Sequence, residues 1–342
     1  MIRKLTIFVK NFEMRLLVPL ILLIGLCACS GTSEYRHTSG AAWGTLYHIT
    51  YRAERDLSDS VVAEMRRVEL SLSMFDSLST VSKVNRGATD VVDSMFARVF
   101  AASQLVHRVS GGAFDPTVAP LVNLWGFGYT GDGEEEPPAQ AVVMAELAKV
   151  GLGDCRLDSL RLTRKHPQTQ FDFSAIAKGF GVDCVAEMLR RCGASDYMVE
   201  IGGEVAVAGV NPHGTPWRIA VEVPEPGADG QSISTVELSQ GAVATSGNYR
   251  NFRQAGADSV YGHTISPVTG YPVATETASA TVIAPSCMLA DALATACMVL
   301  PAQKALALAD SVPGVSIMLV SPAPGGGWNV MRSKERLPSR QP

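Results

Sequence analysis

The sequence predicts an α+β fold of mixed and antiparallel sheets with packed helices. Three observations carry this. Helical and strand-like stretches are mixed without the strict βαβ alternation of a doubly wound sheet. Residues 195–245 read as consecutive strands, DYMVEI, EVAVAGV, WRIAVEV and STVELS, separated by Gly, Pro and Asn turns. On either side of that block, apolar residues recur at helical spacing.

The elements follow in order. Residues 44–52 alternate enough to form a strand. Ser58 is placed to cap a helix over about 59–72, with Val62, Met65, Val68, Glu69 and Leu72 at helical spacing. Residues 90–110 predict a second helix, with an apolar stripe of Val92, Met95, Phe96, Val99, Leu105 and Val106 ended by Gly111-Gly112. Residues 130–139, TGDGEEEPPA, read as a solvated acidic loop. A helix over 139–150 and short strands near 155–163 come next. Ser174 is placed to cap a helix running to Arg191 and stopped by Gly193. A last helix covers about 287–300 and a last strand about 314–320. No internal repeat occurs.

Composition bounds the class of protein. The chain has 342 residues, of which 46% are hydrophobic and 18% charged, so it is too apolar to be disordered. It lacks the Gly-X-Y period of collagen and the heptads of a long coiled coil. A formal charge of −4 argues against a nucleic-acid partner, which selects a basic face.

The amino terminus has its own character. Residues 16–26 are an unbroken apolar run preceded by Arg15, shorter than the roughly 20 residues of a membrane span and suited to a signal-peptide core. Leu26-Cys27-Ala28-Cys29 follows and resembles a bacterial lipobox, with cleavage after residue 28 and lipid on Cys29. Residues 1–28 are then a lipoprotein signal peptide, 29–42 a tether of small and polar residues, and 43–335 the folded domain. The leader holds Arg3, Lys4, Lys10 and Arg15 against Glu13, so its removal takes the charge from −4 to −7. The expected location is a periplasm-facing membrane surface. The other cysteines, Cys155, Cys184, Cys192, Cys287 and Cys297, are odd in number and form neither a disulfide framework nor a CxxC zinc site.

No P-loop, GxSxG elbow or HExxH occurs, and Gly151-Leu152-Gly153 lacks the third glycine of a dinucleotide fingerprint. Five other clusters have the chemistry of a site. The helix from Cys287 is apolar nearly all round, except for Asp291 and Thr295, which share a face. No Lys or Arg lies between 288 and 303, so Asp291 needs a partner from elsewhere, either a tertiary salt bridge or a hard cation such as Mg²⁺. Asp172-Phe173-Ser174-Ala175-Ile176-Ala177-Lys178-Gly179 opens a helix beside a lysine, which suits an anion or is simply a capped helix. Gly111-Gly112-Ala113-Phe114-Asp115-Pro116-Thr117 is either a ligand loop or a helix stop and Asp-Pro turn. Ile201-Gly202-Gly203-Glu204 reads as a hairpin turn. Thr245-Ser246-Gly247-Asn248-Tyr249 and His263-Thr264-Ile265-Ser266-Pro267 through Pro272 suit exposed functional loops.

Taken together and in this order, GGAFDPT, PLVNLWGFG, DFSAIAKGFGVD, EIGGE, ATSGNY, HTISPVTGYP and DALATA resemble the ApbE family of flavin transferases. The resemblance implies an ApbE-like, T-fold-like single catalytic unit. It implies FAD as substrate and transfer of the FMN half to a Thr or Ser hydroxyl of an acceptor protein, with AMP leaving and Mg²⁺ as cofactor. The acceptor would belong to a membrane-bound, flavin-dependent redox complex. An FAD pyrophosphatase releasing FMN and AMP, and a non-catalytic flavin-binding lipoprotein, are the alternatives.

The resemblance assigns the metal to Asp291, Thr295 and the carbonyl of Ala175. It assigns FAD contacts to Trp43, Phe75, Ala113, Phe114, Asp115, Asp172, Lys178 and Ile265. His263 is the candidate base, because imidazole titrates near neutrality. Three positions depart from the family pattern: Trp43 for the usual Met, Phe75 for Tyr, and Ser266 where Asp is usual.

Overall fold

A computed structural model describes residues 33–128, 137–225, 227, 230–247, 252–255, 259–274 and 276–334. The leader, Cys29, most of the acidic loop and Asn248-Tyr249 lie outside the described residues. Strands β1 (Glu34–Ala42) and β2 (Thr45–Ala53) form an antiparallel hairpin in which Ala42 pairs with Thr45. Trp43 and Gly44 are therefore its two-residue turn, and both have positive φ, 54° and 75°. That is the backbone of the primed turns that match strand twist. The tether expected over 29–42 is corrected from Glu34 onward: those residues are a sheet edge. An edge strand is only partly covered and needs no continuous apolar face, so its polar sequence read as a spacer.

Helix α1 (Ser58–Leu72) begins with Ser58 inside it rather than capping it. Asp56 Oδ1 instead accepts from Ser58 N at 3.0 Å and from its hydroxyl at 2.7 Å. Its buried stripe is Val61, Met65, Val68 and Leu72, while Val62 is half exposed. Helices α2 (Thr80–Asn85) and α3 (Ser94–Val109) follow. The latter starts at Ser94 because Asp93 Oδ1 accepts from Met95 N and Phe96 N, a side-chain cap. On α3, Leu105 is partly exposed, and Phe96, Val99, Phe100 and Val106 make the core stripe.

Helices α4 (Ala119–Leu124) and α5 (Gln140–Leu147) and the hairpin of β3 (Cys155–Asp158) with β4 (Arg161–Arg164) lead to α6 (Ser174–Arg191). Then come β5 (Tyr197–Ile201), β6 (Glu204–Ala208), β7 (Trp217–Glu222), β8 (Ser232–Leu238), β9 (Gln240–Gly247), β10 (Phe252–Ala255), β11 (Ser259–Gly262) and β12 (Ser279–Ala284). The chain continues through α7 (Cys287–Val299), α8 (Ala302–Ser311), β13 (Ser316–Pro322) and β14 (Trp328–Arg332).

The main sheet has the order β1-β2-β5-β6-β9-β12-β13-β14, with every pairing antiparallel. One face carries α1, α6, α7 and α8 on apolar residues such as Ile49, Val199, Ala206, Ala244 and Val282. The opposite face is covered near its middle by the β7–β8 hairpin, where Trp217, Ile219 and Leu238 meet Val205, Val207 and Val243. Central strand β6 is thus buried on both faces, and alternation sends Glu204 and Ala206 toward the helices. A satellite core of Leu121, Trp125, Val143 and Ile265 joins α4 and α5 to the loop after β11.

Candidate active site

The site forms where α6 and α7 cross over the middle of the sheet. The crossing is close because α6 has a glycine there: a Cβ on Gly179 would lie 2.3 Å from the Cys287 carbonyl oxygen and 2.8 Å from Asp291 Cβ. At this contact Gly179 N donates to Asp291 Oδ2 at 2.9 Å. A helix-interior N–H ordinarily serves the carbonyl four residues back, here that of Ala175. The Ala175 carbonyl, with two lone pairs, keeps acceptor capacity whether or not Gly179 N is shared with Asp291.

Asp291 is buried, and burial raises its pKa while Lys178 and the Gly179 amide pull it down. Its Oδ1 carries no hydrogen bond among the described residues. Thr295 lies one turn on, and its hydroxyl meets Ser246 Oγ on β9 at 3.3 Å.

The positive charge that bears on Asp291 comes from α6. Lys178 is ion-paired with Glu204 at the start of β6. Burial alone would lower the lysine pKa, but the charges of Asp291 and Glu204 outweigh it and hold the ammonium firmly protonated. Glu204 is buried, and burial pushes its pKa up to about 7, with Lys178 opposing. Its Oε2 has no hydrogen-bond partner. With Glu204 poised near neutrality and paired to Lys178, Asp291, one turn from Thr295, is the carboxylate left to take a cation.

The donor set decides which cation. Among the described residues no group of three or more His, Cys, Asp or Glu side chains is arranged for a metal. What is present is one carboxylate, one hydroxyl and one carbonyl, all hard oxygens. That set suits Mg²⁺, which keeps waters and substrate phosphate as its remaining ligands. The residues therefore fit the ion that the resemblance implies.

The other expected residues fall into three groups. Trp43 lies against α6, where a Cβ on Gly181 would sit 2.1 Å from its ring. Asp172 stands before α6 and its Oδ1 accepts from Ser174 N at 2.8 Å. The carboxylate thus takes the role expected of Ser174, which is itself the first helical residue. Burial raises the Asp172 pKa. Asp172 N donates to the Pro116 carbonyl at 2.6 Å, which ties the GGAFDPT loop to the start of α6.

Within that loop the side chains turn inward. Ala113 and Phe114 are buried, with Phe114 in the main core. Asp115 Oδ1 accepts from Thr117 N and Oγ1, and Oδ2 accepts from Leu152 N, with His107 Nδ1 at 3.4 Å. Asp115 thus spends its oxygens on holding the loop. Ile265 is buried in the satellite core, so any contact it makes with a ligand is through backbone. His263 is half-buried, edge-on to Phe127 at 6.5 Å between ring centroids. Phe75 is 79% exposed on the loop after α1.

The departure at Ser266 has a structural account. Ser266 Oγ accepts from Val268 N at 3.3 Å and Thr269 N at 3.2 Å, the turn bonds that an Asp side chain also makes. Sequence reasoning missed Glu204, read only as part of a turn. An acidic residue opening the apolar strand Val205-Ala206-Val207 was the available signal.

A half-buried lysine paired to Glu204, beside Asp291 and Thr295 on the adjoining helix, is an arrangement that fits a phosphate-bearing substrate. Comparison with known proteins gives the family. The ApbE family model matches residues 43–319. A FAD:protein FMN transferase of Vibrio cholerae is 36% identical over 318 residues, covering 89% of this chain and 93% of its own length. One from Haemophilus influenzae is 35% identical, covering 86% and 89%. The solved flavin transferase ApbE from Vibrio cholerae superimposes with a TM-score of 0.78 at 34% identity, over 88% of this chain and 97% of that one. The apo flavinyl transferase ApbE of Pseudomonas stutzeri gives 0.76 at 34% identity, over 89% and 96%. This chain belongs to the ApbE family.

Proposed function

We propose that this chain is a Mg²⁺-dependent FAD:protein FMN transferase. It moves the FMN half of FAD onto a Thr or Ser hydroxyl of an acceptor protein and releases AMP. The observation that carries this is the α6–α7 contact: Asp291 is held by Gly179 N, with Thr295 one turn on and Lys178 beside them.

Asp291, Thr295 and the Ala175 carbonyl would hold Mg²⁺. When bound, the ion neutralises charge on the pyrophosphate and on the departing AMP phosphate. Lys178 offers its ammonium to the phosphate oxygens, and Glu204 holds that ammonium in place. The acceptor oxygen forms its bond to the FMN phosphorus as the bond from that phosphorus to the AMP oxygen breaks. His263 takes the hydroxyl proton. Trp43, in the β1–β2 turn against α6, offers an aromatic ring for stacking.

Asp291→Ala is expected to abolish Mg²⁺-dependent flavinylation, read as in-gel flavin fluorescence of the acceptor, with the fold retained by circular dichroism. Normal flavinylation by that variant would overturn the assignment. The same mixture without acceptor tests the pyrophosphatase reading through free FMN and AMP.

The acceptor is a protein of a membrane-bound, flavin-dependent redox complex, and this chain faces the periplasm on a lipid at Cys29. Residues 30–33 alone separate Cys29 from β1, so the lipid would hold the sheet within roughly 17 Å of the membrane at full extension. Among the described residues no helix is long and apolar enough to cross a membrane.

A further inference from the structure

Helices α6 and α7 exchange carboxylates. Asp291 of α7 accepts from Gly179 N of α6. One turn further along α6, Asp183 Oδ1 accepts from Cys287 N at 2.8 Å and its Oδ2 from Met288 N at 2.9 Å. These are the first two amides of α7, which have no partner within their own helix. Ser286 Oγ takes the third, from Leu289, and the Ala290 amide begins the ladder on the Ser286 carbonyl. A neighbouring helix thus supplies two of the three caps. Cys287 is fully buried, so water cannot replace that bond.

The two contacts lock the register of the helix pair. Sliding α7 by one residue moves its atoms about 1.5 Å and breaks both at once. Arg98, paired to Glu187 at 2.8 Å, adds positive charge near Asp183. The two halves of the cation site ride on these two helices, with Ala175 and Lys178 on α6 and Asp291 and Thr295 on α7.

We propose that Asp183 is a positioning residue: by capping α7 from α6, it sets Asp291 and Thr295 at the height where they share a cation with the Ala175 carbonyl. It touches neither FAD nor the cation. The inference rests on the reading of Asp291 and Thr295 as cation ligands.

The test is Mn²⁺ binding to the purified full chain, read from the EPR signal of the free ion, for wild type, Asp183→Asn, Asp183→Ala, Asp291→Ala and Val61→Ala. Asn offers an oxygen to one amide and an N–H₂ to the other. Both Asp183 variants are expected to weaken Mn²⁺ binding about tenfold or more, the scale seen when groups behind metal ligands are removed. The flavinylation kcat at subsaturating Mg²⁺ should fall with it and recover at high Mg²⁺. Val61 sits in the buried stripe of α1 and makes none of the hydrogen bonds that join α6 to α7, so Val61→Ala controls for general loss of stability. Mn²⁺ affinity within twofold of wild type in folded Asp183→Asn would overturn the proposal. So would equal weakening in Val61→Ala at matched melting temperature. Should Asp183→Ala not fold, the comparison stands on Asp183→Asn. Wild-type Mn²⁺ affinity in Asp291→Ala would overturn the cation reading itself. Loss there with no change in Asp183→Asn would overturn only the role of Asp183.

Discussion

Lys178 and Glu204 show how much a single buried pair can decide. Glu204 sits on a strand covered on both faces, where an isolated carboxylate is costly, and Lys178 is the cation that reaches it. Removing only the lysine strands that charge. Lys178 is partly open to solvent and Glu204 can take up a proton, so Lys178→Met is expected to destabilise the protein by roughly 1–2 kcal/mol. The double variant Lys178→Met/Glu204→Gln should recover at least half of the loss, as read in urea unfolding. Additive losses would mean that the two side chains are not energetically coupled.

Trp43 is the other telling residue. A bulky side chain at φ 54° costs about 1–3 kcal/mol, a strain that persists where the ring has a use. Trp43→Asn suits the turn better and should keep the hairpin, yet raise the KM for FAD about tenfold. An unchanged KM would remove Trp43 from the cofactor site.

At the scale of elements, the approach of α6 to α7 is set by the missing side chain at Gly179. Gly179→Ala brings a methyl within 2.3 Å of a backbone oxygen that cannot rotate away, so the helices must separate. The expected cost is about 1–3 kcal/mol. The Mg²⁺ concentration for half-maximal flavinylation should rise in step, because separation pulls Asp291 from the Gly179 amide. A melting temperature and a Mg²⁺ midpoint both within error of wild type would contradict this packing.

Periodicity made the long elements legible. The expected helices over 59–72, 90–110, 174–191 and 287–300 correspond to α1, α3, α6 and α7 with ends shifted by a few residues at most. Their caps were less legible. Asp56 and Asp172 accept from the amides of Ser58 and Ser174, and Asp93 from those of Met95 and Phe96, so the aspartate before each serine satisfies the helix start. The short helices α2 and α4 span under two turns and show no stripe. Strand β12 escaped because its residues are small and buried on both faces, which leaves no alternation.

At the scale of the whole molecule, the eight-stranded sheet works as a platform with helices on one face and a hairpin on the other. The titration of groups buried between its layers should show in its stability. Burial pushes Asp183 from 3.8 up to about 6, against the pull of the Cys287 and Met288 amides and of Arg98, with Glu187 adding to the rise. The folded state therefore holds this proton more tightly than the unfolded state. The contribution of Asp183 to stability is greatest below about 3.8 and falls as pH rises to about 6. The change is about 3 kcal/mol. Urea unfolding of wild type and Asp183→Asn between pH 4 and 7 should show a shallower decline in the variant. Parallel curves would show that Asp183 titrates normally.

The chain alone specifies the chemistry on offer. It places an acid and a hydroxyl on one face of an apolar helix, a lysine near the start of another, and motifs whose joint order marks the family. Those features are local, and sequence spacing reports local geometry faithfully. The distant pairings came only from folding. That Asp291 takes the Gly179 amide, that Asp115 and Phe114 face inward, that Lys178 meets Glu204 and that Asp183 caps α7 are consequences of which faces the sheet buries. Each joins residues separated by loops or whole strands, and no periodicity in the chain encodes which of several buried carboxylates meets which amide or ammonium.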